Sequence, residues 1–321
     1  MNTSSQQFAF LDLHPQVEDV CAEVCAGFRQ TSKSLSPKFF YDQQGSELFE
    51  AITELDEYYP TRTELGLFDS NLGEIAEIIG SGSCVIEYGS GSSLKIRKLL
   101  NALAPRAYVP IDISRDYLLY GAQELAKDFP ALDVFPVCAD FGQTIALPEQ
   151  TNDLHRIGFF PGSSIGNFEP SNAQQFLQRV AHTLGPGGHL LIGVDCKKDS
   201  QVLERAYNDA AGVTAAFNLN ALAHLNRVLG CDFNIEAFQH EARYNSERGC
   251  IEMFLRSTRE QQVDIRGDVF TFAAGERLHT ENSYKYAPEE FLQLAQASGF
   301  DSAGHWLDAQ AYFGLYLLKA R

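Results

Sequence analysis

Residues 85–93 read VIEYGSGSS, and this stretch decides the fold of the chain. Its apolar start and the acidic Glu87 lead into a glycine turn, after which apolar residues recur at helical spacing from Ile96 to Leu103. A strand, a tight glycine turn and a helix are the opening unit of a nucleotide-binding α/β domain. The glycines let the backbone approach a ligand that any Cβ would exclude, and the helix start offers free N–H groups. The stretch predicts a nucleotide-like ligand and leaves its identity open.

The composition is that of an ordinary globular protein of 321 residues with a formal net charge of −17. A chain of this length can bury a full core and form one large domain or two smaller ones. Neutralising nucleic-acid phosphates requires a basic protein face, so the acidic balance argues against a nucleic-acid partner and an anionic membrane surface. No apolar stretch reaches transmembrane length, and we expect no membrane partner.

The seven cysteines are odd in number and scattered, with no CxxC pair. This pattern is typical of reduced thiols, and the first residues, MNTSSQQ, show no basic segment followed by a long apolar run. We therefore expect a cytoplasmic protein, and a monomer. The eight histidines form no HExxH motif, so we expect no metal site.

From residue 61 onward, strand and helix patterns alternate. A helix is predicted at about 63–80, and the predicted strands cover residues 84–88, 107–112, 132–138, 156–160 and 189–195. Ser171 and Gln174 have the spacing of a capping box at the start of a helix. Strands alternating with helices predict a parallel sheet covered by helices.

After Asp195 the pattern changes. Residues 197–230 predict two helices without an intervening strand, and residues 241–245, 250–257 and 263–272 alternate like antiparallel strands. We expect an inserted α+β substrate-binding lobe of residues 8–60 plus 196–285, and a core of residues 61–195 plus 286–321. A helix near 287–298 and strands near 305–306 and 312–318 predict a seven-stranded sheet whose last strand is antiparallel.

Two nucleotide-like ligands compete for the glycine turn. A nicotinamide dinucleotide site needs G-x-G-x-x-G, and its third glycine would fall at Leu94. Asp112, about twenty residues past the turn at a strand end, suits ribose hydroxyls, and Asp140-Phe141 suits the edge and face of an adenine. These features favour S-adenosylmethionine, and with the antiparallel ending the chain resembles the class I methyltransferase fold, a Rossmann-like α/β sheet.

Further motifs resemble the histidine-specific Nα-methyltransferases of ergothioneine biosynthesis. They are residues 57–64 (EYYPTRTE), 162–167 (GSSIGN), 206–214 (AYNDAAGVT), 251–253 (IEM) and 279–285 (HTENSYK). The match runs in order from about residue 30 to the end and includes the inserted lobe, which generic class I methyltransferases lack. The resemblance implies trimethylation of the α-amine of L-histidine, which gives hercynine and S-adenosylhomocysteine.

The same resemblance implies roles for individual residues. The cofactor-binding residues would be Gly89, Lys95, Asp112, Asp140 and Phe141, with Tyr41 near the methyl donor. Lys95 would contact the methionyl carboxylate. The substrate-binding residues would be Tyr58, Gly162, Asn167, Tyr207, Met253, Glu281 and Ser283. Of these, Asn167 and Tyr207 would hold the substrate carboxylate and orient the amine, so that Tyr41 and Asn167 are the candidate catalytic residues.

Other functions stay open at this stage. The pocket could accept another amino acid such as tryptophan or tyrosine, or the sheet could bind S-adenosylmethionine without donating its methyl group. A nicotinamide oxidoreductase is the more distant alternative, because the dinucleotide motif is incomplete.

Overall fold

The computed structural model describes residues 7–13, 17–91 and 93–321. The strands in chain order are β1 (Leu11–Asp12), β2 (Cys84–Tyr88), β3 (Ala107–Asp112), β4 (Asp133–Val134), β5 (Val137–Cys138), β6 (Arg156–Phe160), β7 (His189–Asp195), β8 (Phe238–Asn245), β9 (Cys250–Ser257), β10 (Gln261–Ile265), β11 (Asp268–Phe272), β12 (Arg277–Tyr284), β13 (Phe300–Leu307) and β14 (Phe313–Ala320). The helices are α1 (Val17–Phe28), α2 (Gln43–Thr53), α3 (Tyr59–Ile79), α4 (Ser93–Leu103), α5 (Arg115–Asp128), α6 (Pro170–Leu184), α7 (Ser200–Ala206), α8 (Val213–Leu229) and α9 (Pro288–Ala297).

The chain divides into two compact units. Unit 1 contains the described residues of 7–13, 60–197 and 285–321, and unit 2 contains those of 17–59 and 198–284. Residues 8–13 are expected in the substrate-binding lobe, but in the structure they belong to unit 1. The reason is that β1 pairs in parallel with β5 at the edge of the main sheet.

Unit 1 is built on a sheet of strand order β1-β5-β3-β2-β6-β7-β14-β13, with β4 also paired to β3. The strands from β1 to β7 along this order are parallel, and β14 lies antiparallel to both β7 and β13. This order confirms the seven-stranded class I arrangement predicted from the sequence, with β1 and β4 as additions. The glycine turn follows β2 near the middle of the sheet, at the carboxyl ends of the strands, where such folds bind ligands.

Most strand boundaries of unit 1 were predictable because the strands are continuous apolar runs. The structure confirms the strands predicted at residues 84–88, 107–112, 156–160 and 189–195. All five residues of β2 and all seven of β7 are buried, as expected for parallel strands covered by helices on both faces.

Two local predictions in unit 1 are wrong. The strand expected at residues 132–138 is split into β4 and β5, with Pro136 in the gap, and proline cannot donate to a strand ladder. The capping box of Ser171 and Gln174 does not form. The N-cap is Glu169, two residues before Ser171, and it makes no side-chain capping bond. Helix α6 therefore begins at Pro170, whose fixed φ suits a first helical position.

Unit 2 contains the antiparallel sheet β12-β9-β8 and the hairpin β10-β11. Residues 263–272, expected to be one strand pattern, contribute to two strands, because Arg266 and Gly267 adopt positive φ angles of 54° and 98° and turn the chain. Helix α8 starts where the Asp209 carboxylate accepts hydrogen bonds from the N–H groups of Val213 and Thr214, both at 2.8 Å. These two bonds satisfy N–H groups of the first helical turn, behind the N-cap Gly212, and explain the aspartate within the motif of residues 206–214.

A carboxylate with two partners lies among the buried polar groups of unit 1. The Glu64 side chain, on α3, is fully buried and forms an ion pair with Lys95 on α4. Its two oxygens also accept the Gly162 N–H at 3.1 and 3.0 Å. On β7, a Cβ added to Gly193 would lie 2.0 Å from Glu64 Oε1, so only glycine leaves room for this carboxylate.

We predict that Gly193→Ala destabilises the protein by about 1–3 kcal/mol, because the new methyl group overpacks the space of a buried charge. The measurement is urea unfolding followed by circular dichroism. Gly66→Ala is the matched control, since Gly66 lies on the same helix as Glu64 and an added Cβ meets no atom within 4 Å. The control should be neutral or more stable, because alanine favours a helix. Equal stability of Gly193→Ala and the wild type would contradict the packing described here.

Candidate functional site

The glycine turn that follows β2 keeps the geometry that its sequence predicts. Gly89 has a φ of +77°, a region that residues with a side chain rarely adopt, and its N–H donates to the Ile111 carbonyl at 2.9 Å. The turn is thereby joined to the end of the neighbouring strand β3. Ser92, part of the predicted turn, lies outside the described residues.

The acidic residue before the turn has a structural partner. Glu87 is only 2% exposed and accepts a hydrogen bond from the Tyr108 hydroxyl on β3. Burial raises the pKa of Glu87 to about 8, so most of this carboxyl group is protonated at pH 7. The largely neutral Glu87 side chain on β2 therefore forms a hydrogen bond to β3 just before the turn.

The two predicted nucleotide-reading carboxylates end neighbouring strand segments of unit 1. Asp112, the last residue of β3, accepts the Ser114 N–H at 2.8 Å, and burial raises the pKa of Asp112 to about 6. Asp140, two residues after β5, accepts the Gly142 N–H at 2.8 Å. Each carboxylate accepts the backbone N–H two residues further along the chain, and this hydrogen bond fixes its side-chain conformation.

Phe141 packs against other aromatic rings of unit 1. Its ring centroid lies 5.6 Å from Phe160, 6.3 Å from Phe168 and 6.1 Å from Phe176, with edge-on geometry in each case. A Cβ added to Gly89 would lie 3.5 Å from Phe141 Cε1, so the ring also lies beside the glycine turn. The sequence-based prediction that Phe141 covers an adenine face stays a prediction.

Lys95 and Gly162 meet at the same buried carboxylate. Lys95, in the first turn of α4, is 9% exposed and pairs with Glu64, which also accepts the Gly162 N–H. Gly162 and Ser163 both have positive φ angles, 75° and 60°, and the Ser163 Oγ accepts the Asp195 N–H at 2.8 Å. The loop after β6 is thus held in a sharp conformation, and Asn167 ends the short 3-10 helix that follows it.

Three of the predicted tyrosines come together in unit 2. An aromatic cluster consists of Tyr41, Phe49, Tyr58, Tyr207 and Phe217. Ring centroids are 5.9 Å apart for Tyr41 and Phe49, 6.3 Å for Phe49 and Tyr58, and 6.3 Å for Tyr58 and Tyr207. The aromatic cluster therefore joins segments of unit 2 that are far apart in sequence.

The polar end of this aromatic cluster is the strand β12. The Tyr207 hydroxyl donates to the Ser283 Oγ at 2.8 Å, and both residues are buried. Glu281, 6% exposed, lies directly opposite Met253 on β9. Because Ser283 follows Glu281 by two residues, both side chains and that of Met253 share one face of the sheet, which we call the inner face.

A β-bulge decides which residues of β12 reach the inner face. His279 pairs with Phe254 and Glu281 pairs with Met253, so Thr280 is an extra residue in the ladder. In an unbroken register Thr280 would oppose Met253, and Glu281 would turn to the other face beside Glu252. The bulge therefore presents the Glu281 carboxylate to the inner face.

Sequence reasoning did not identify Glu64, Phe49 or the bulge at Thr280 as parts of these arrangements. For Glu64 a signal existed, since it belongs to the motif of residues 57–64. For Phe49 and Thr280 we find none, because an aromatic in a helix and a threonine in a strand are ordinary choices.

Two further observations concern the described residues alone. They contain no group of three or more histidine, cysteine, aspartate or glutamate side chains that could hold a metal ion. None of their helices has both the length and the hydropathy needed to cross a membrane.

Comparison with known proteins places these features in a family context. A family model described as "Histidine-specific methyltransferase, SAM-dependent" matches residues 20–320. The histidine N-alpha-methyltransferase of Mycolicibacterium smegmatis is 40% identical over 96% of this chain and 97% of its own length. The protein of the same name from Mycobacterium tuberculosis is 41% identical over 92% of this chain and 93% of its own length.

A fungal relative extends the comparison. Ergothioneine biosynthesis protein 1 of Neurospora crassa is 34% identical over 92% of this chain, which corresponds to 34% of the fungal protein. The similarity therefore covers one part of that longer chain.

We predict that the affinity for S-adenosylhomocysteine depends on pH through Asp112. Ribose hydroxyls donate to an ionised carboxylate, and in the free protein this group has a pKa of about 6. The dissociation constant, measured by titration calorimetry between pH 5 and 8, should be level above pH 7 and rise about fivefold between pH 6 and pH 5.

Asp112→Asn should bind more weakly at pH 8 and show no such dependence. Asp116→Asn is the control, because Asp116 lies in the first turn of α5 with a side chain that is 79% exposed. A wild-type affinity that is level down to pH 5 would contradict a ribose contact by Asp112.

Proposed function

Because the chain belongs to the family of histidine-specific, S-adenosylmethionine-dependent methyltransferases, we propose that it trimethylates the α-amine of L-histidine. The products are hercynine and S-adenosylhomocysteine, and the reaction belongs to ergothioneine biosynthesis. The single observation that carries the substrate assignment is the inner face of unit 2, where Glu281, Ser283 and Met253 lie side by side and buried.

The inner face suits an imidazole ring. Imidazole has two ring nitrogens, and a pocket that selects it must offer a hydrogen-bond partner to each. We assign one nitrogen to the Glu281 carboxylate and the Ser283 hydroxyl, and the other to the hydroxyl of Tyr58. Met253 supplies an adaptable apolar wall between them.

The carboxyl ends of the strands of unit 1 suit S-adenosylmethionine. We assign Asp112 to the ribose hydroxyls, Asp140 to the adenine edge and Phe141 to the adenine face. Gly89 lets the backbone pass close to the cofactor. We assign the methionyl carboxylate to Lys95, whose ammonium has three donors and uses one on Glu64. This set of donors and acceptors fits the cofactor without a pyrophosphate cradle.

Catalysis by this chain rests mainly on positioning. S-adenosylmethionine, when bound, supplies a methyl group on a sulfonium that a neutral amine can attack directly. We assign Asn167, the Gly162 backbone and Tyr207 to the substrate carboxylate and amine, so that the amine is held in line. The aromatic faces of Tyr41 and Phe217, 5.6 Å apart, favour the positive charge that grows with each methylation.

We also propose that the enzyme is a cytoplasmic monomer. None of the seven cysteines is in a disulfide, and six of them are buried, which fits reduced thiols. Size-exclusion chromatography with light scattering tests the monomer directly, and a dimer mass at micromolar concentration would refute it.

The experiment that tests the function is incubation with S-adenosylmethionine and each of the twenty amino acids, followed by mass spectrometry. We expect L-histidine to gain three methyl groups on its α-amine with release of S-adenosylhomocysteine. Methylation of tryptophan or tyrosine without histidine would overturn the substrate. Absence of S-adenosylhomocysteine with every amino acid would overturn the enzymatic activity.

We predict that Glu281→Ala raises the KM for L-histidine by about 5- to 150-fold, which corresponds to the cost of about 1–3 kcal/mol for an unpaired ring N–H. The affinity for S-adenosylhomocysteine should stay unchanged. Steady-state kinetics at pH 8 and calorimetry measure the two effects.

Glu241→Ala is the matched control for this prediction. Glu241 lies on β8 opposite Phe254, hence on the other face of the sheet, where it pairs with Arg256 and Arg277. Its KM for L-histidine should equal that of the wild type. An unchanged KM in Glu281→Ala would refute the imidazole site on the inner face.

A further inference from the structure

His240 on β8 contacts a residue to which we assign substrate binding. Its Nε2 lies 2.8 Å from the backbone carbonyl oxygen of Tyr207, and its Nδ1 lies 2.8 Å from the Nδ2 of Asn218 on α8. A carbonyl can only accept and an amide nitrogen can only donate, so the imidazole is neutral with its proton on Nε2. Both ring nitrogens of His240 are therefore satisfied in a single protonation state.

The orientation of Asn218 is fixed by a second contact. Its Nδ2 also donates to the Phe254 carbonyl at 3.1 Å, and the residue is fully buried. A flipped amide would place its oxygen against that carbonyl, with two acceptors facing each other. Asn218 consequently cannot turn to accept a proton from His240 Nδ1 without losing this bond.

Tyr207 is held from both ends. Its backbone carbonyl accepts from His240, its N–H donates to the Glu204 carbonyl at 3.2 Å, and its hydroxyl donates to Ser283. His240 pairs with Leu255 across the ladder, so it lies on the same inner face as Met253 and Glu281. Loss of the His240 hydrogen bond would therefore shift the Tyr207 backbone and ring, and with them the hydrogen bond from the Tyr207 hydroxyl to Ser283.

We propose that His240 is a positioning residue for substrate binding, whose neutral imidazole holds the Tyr207 carbonyl and thereby aligns the Tyr207 hydroxyl with Ser283. The inference rests on the proposed binding of L-histidine by Tyr207 and Ser283. It adds a pH-sensitive support behind that site, since protonation of His240 sets its Nδ1–H against the Asn218 amide hydrogens.

The charges around His240 set the direction of this dependence. The carboxylates whose charges act on it are those of Asp209, on the segment before α8, and, from the other face of the sheet, Glu241 on β8. Both favour the imidazolium, as does the Tyr207 carbonyl, yet burial outweighs them and lowers the pKa of His240 below its usual range. The support is thus intact at pH 7–8 and is lost as the pH falls well below the ordinary histidine pKa.

The test measures L-histidine binding by calorimetry in the presence of saturating S-adenosylhomocysteine at pH 8 and pH 5.5. At pH 8, His240→Ala should bind about tenfold more weakly, while His240→Gln, whose amide can donate to the same carbonyl, should stay within about threefold of the wild type. On lowering the pH, the wild type should lose more affinity than His240→Gln, which cannot be protonated. The ionisation of the ligand itself is common to all variants and cancels in this comparison.

His305→Gln, on β13 of unit 1, is the control and should follow the wild type at both pH values. In a double-mutant cycle, Tyr207→Phe combined with His240→Ala should bind no more weakly than the weaker single variant, because both changes remove one support. Equal pH dependence of the wild type and His240→Gln, or additive losses in the cycle, would overturn the inference alone. Wild-type affinity of Tyr207→Phe would overturn the assigned role of Tyr207 and this inference with it.

Discussion

The Glu64 carboxylate is the group on which the arrangement of unit 1 depends. It is fully buried, pairs with the Lys95 ammonium on α4 and accepts the Gly162 N–H from the loop after β6. Gly193 on β7 leaves room for it, because a Cβ there would clash with the carboxylate. A buried charge of this kind is tolerated only when its partners are in place, and removing one partner leaves an uncompensated charge. The start of α4, the loop after β6 and the strand β7 are therefore fixed to one another. Lys95 and Gly162, assigned here to cofactor and substrate, owe their positions to this group.

In unit 2, a β-bulge and aromatic packing position the side chains that we assign to the substrate. The bulge at Thr280 turns Glu281 toward Met253, and the aromatic cluster brings Tyr41, Tyr58 and Tyr207 into contact through Phe49. Behind Tyr207, the neutral His240 holds the backbone carbonyl. In both units the residues that we assign to ligands are thus supported by side chains that need not touch the ligands themselves.

The sequence predicted those parts of the molecule that short-range patterns encode. Strands such as β2 and β7 are continuous apolar runs, and the positions of Gly89 and Asp112 at the carboxyl ends of strands follow from the α/β alternation. Glu64 was not predictable in this way, since its partners lie 31 and 98 residues further along the chain. The face to which Glu281 points was not predictable either, because one extra residue in a ladder reverses it. From its own residues alone, without the family resemblance, Glu281 is better interpreted as an exposed glutamate of a hairpin.

In the proposed function, the inner face of unit 2 binds the imidazole ring of L-histidine. The most direct test is a crystal structure of the protein with L-histidine and S-adenosylhomocysteine bound. We expect one imidazole nitrogen within hydrogen-bond distance of the Glu281 carboxylate and the Ser283 hydroxyl, with Met253 against the ring. An imidazole bound with neither Glu281 nor Ser283 in contact would contradict the account.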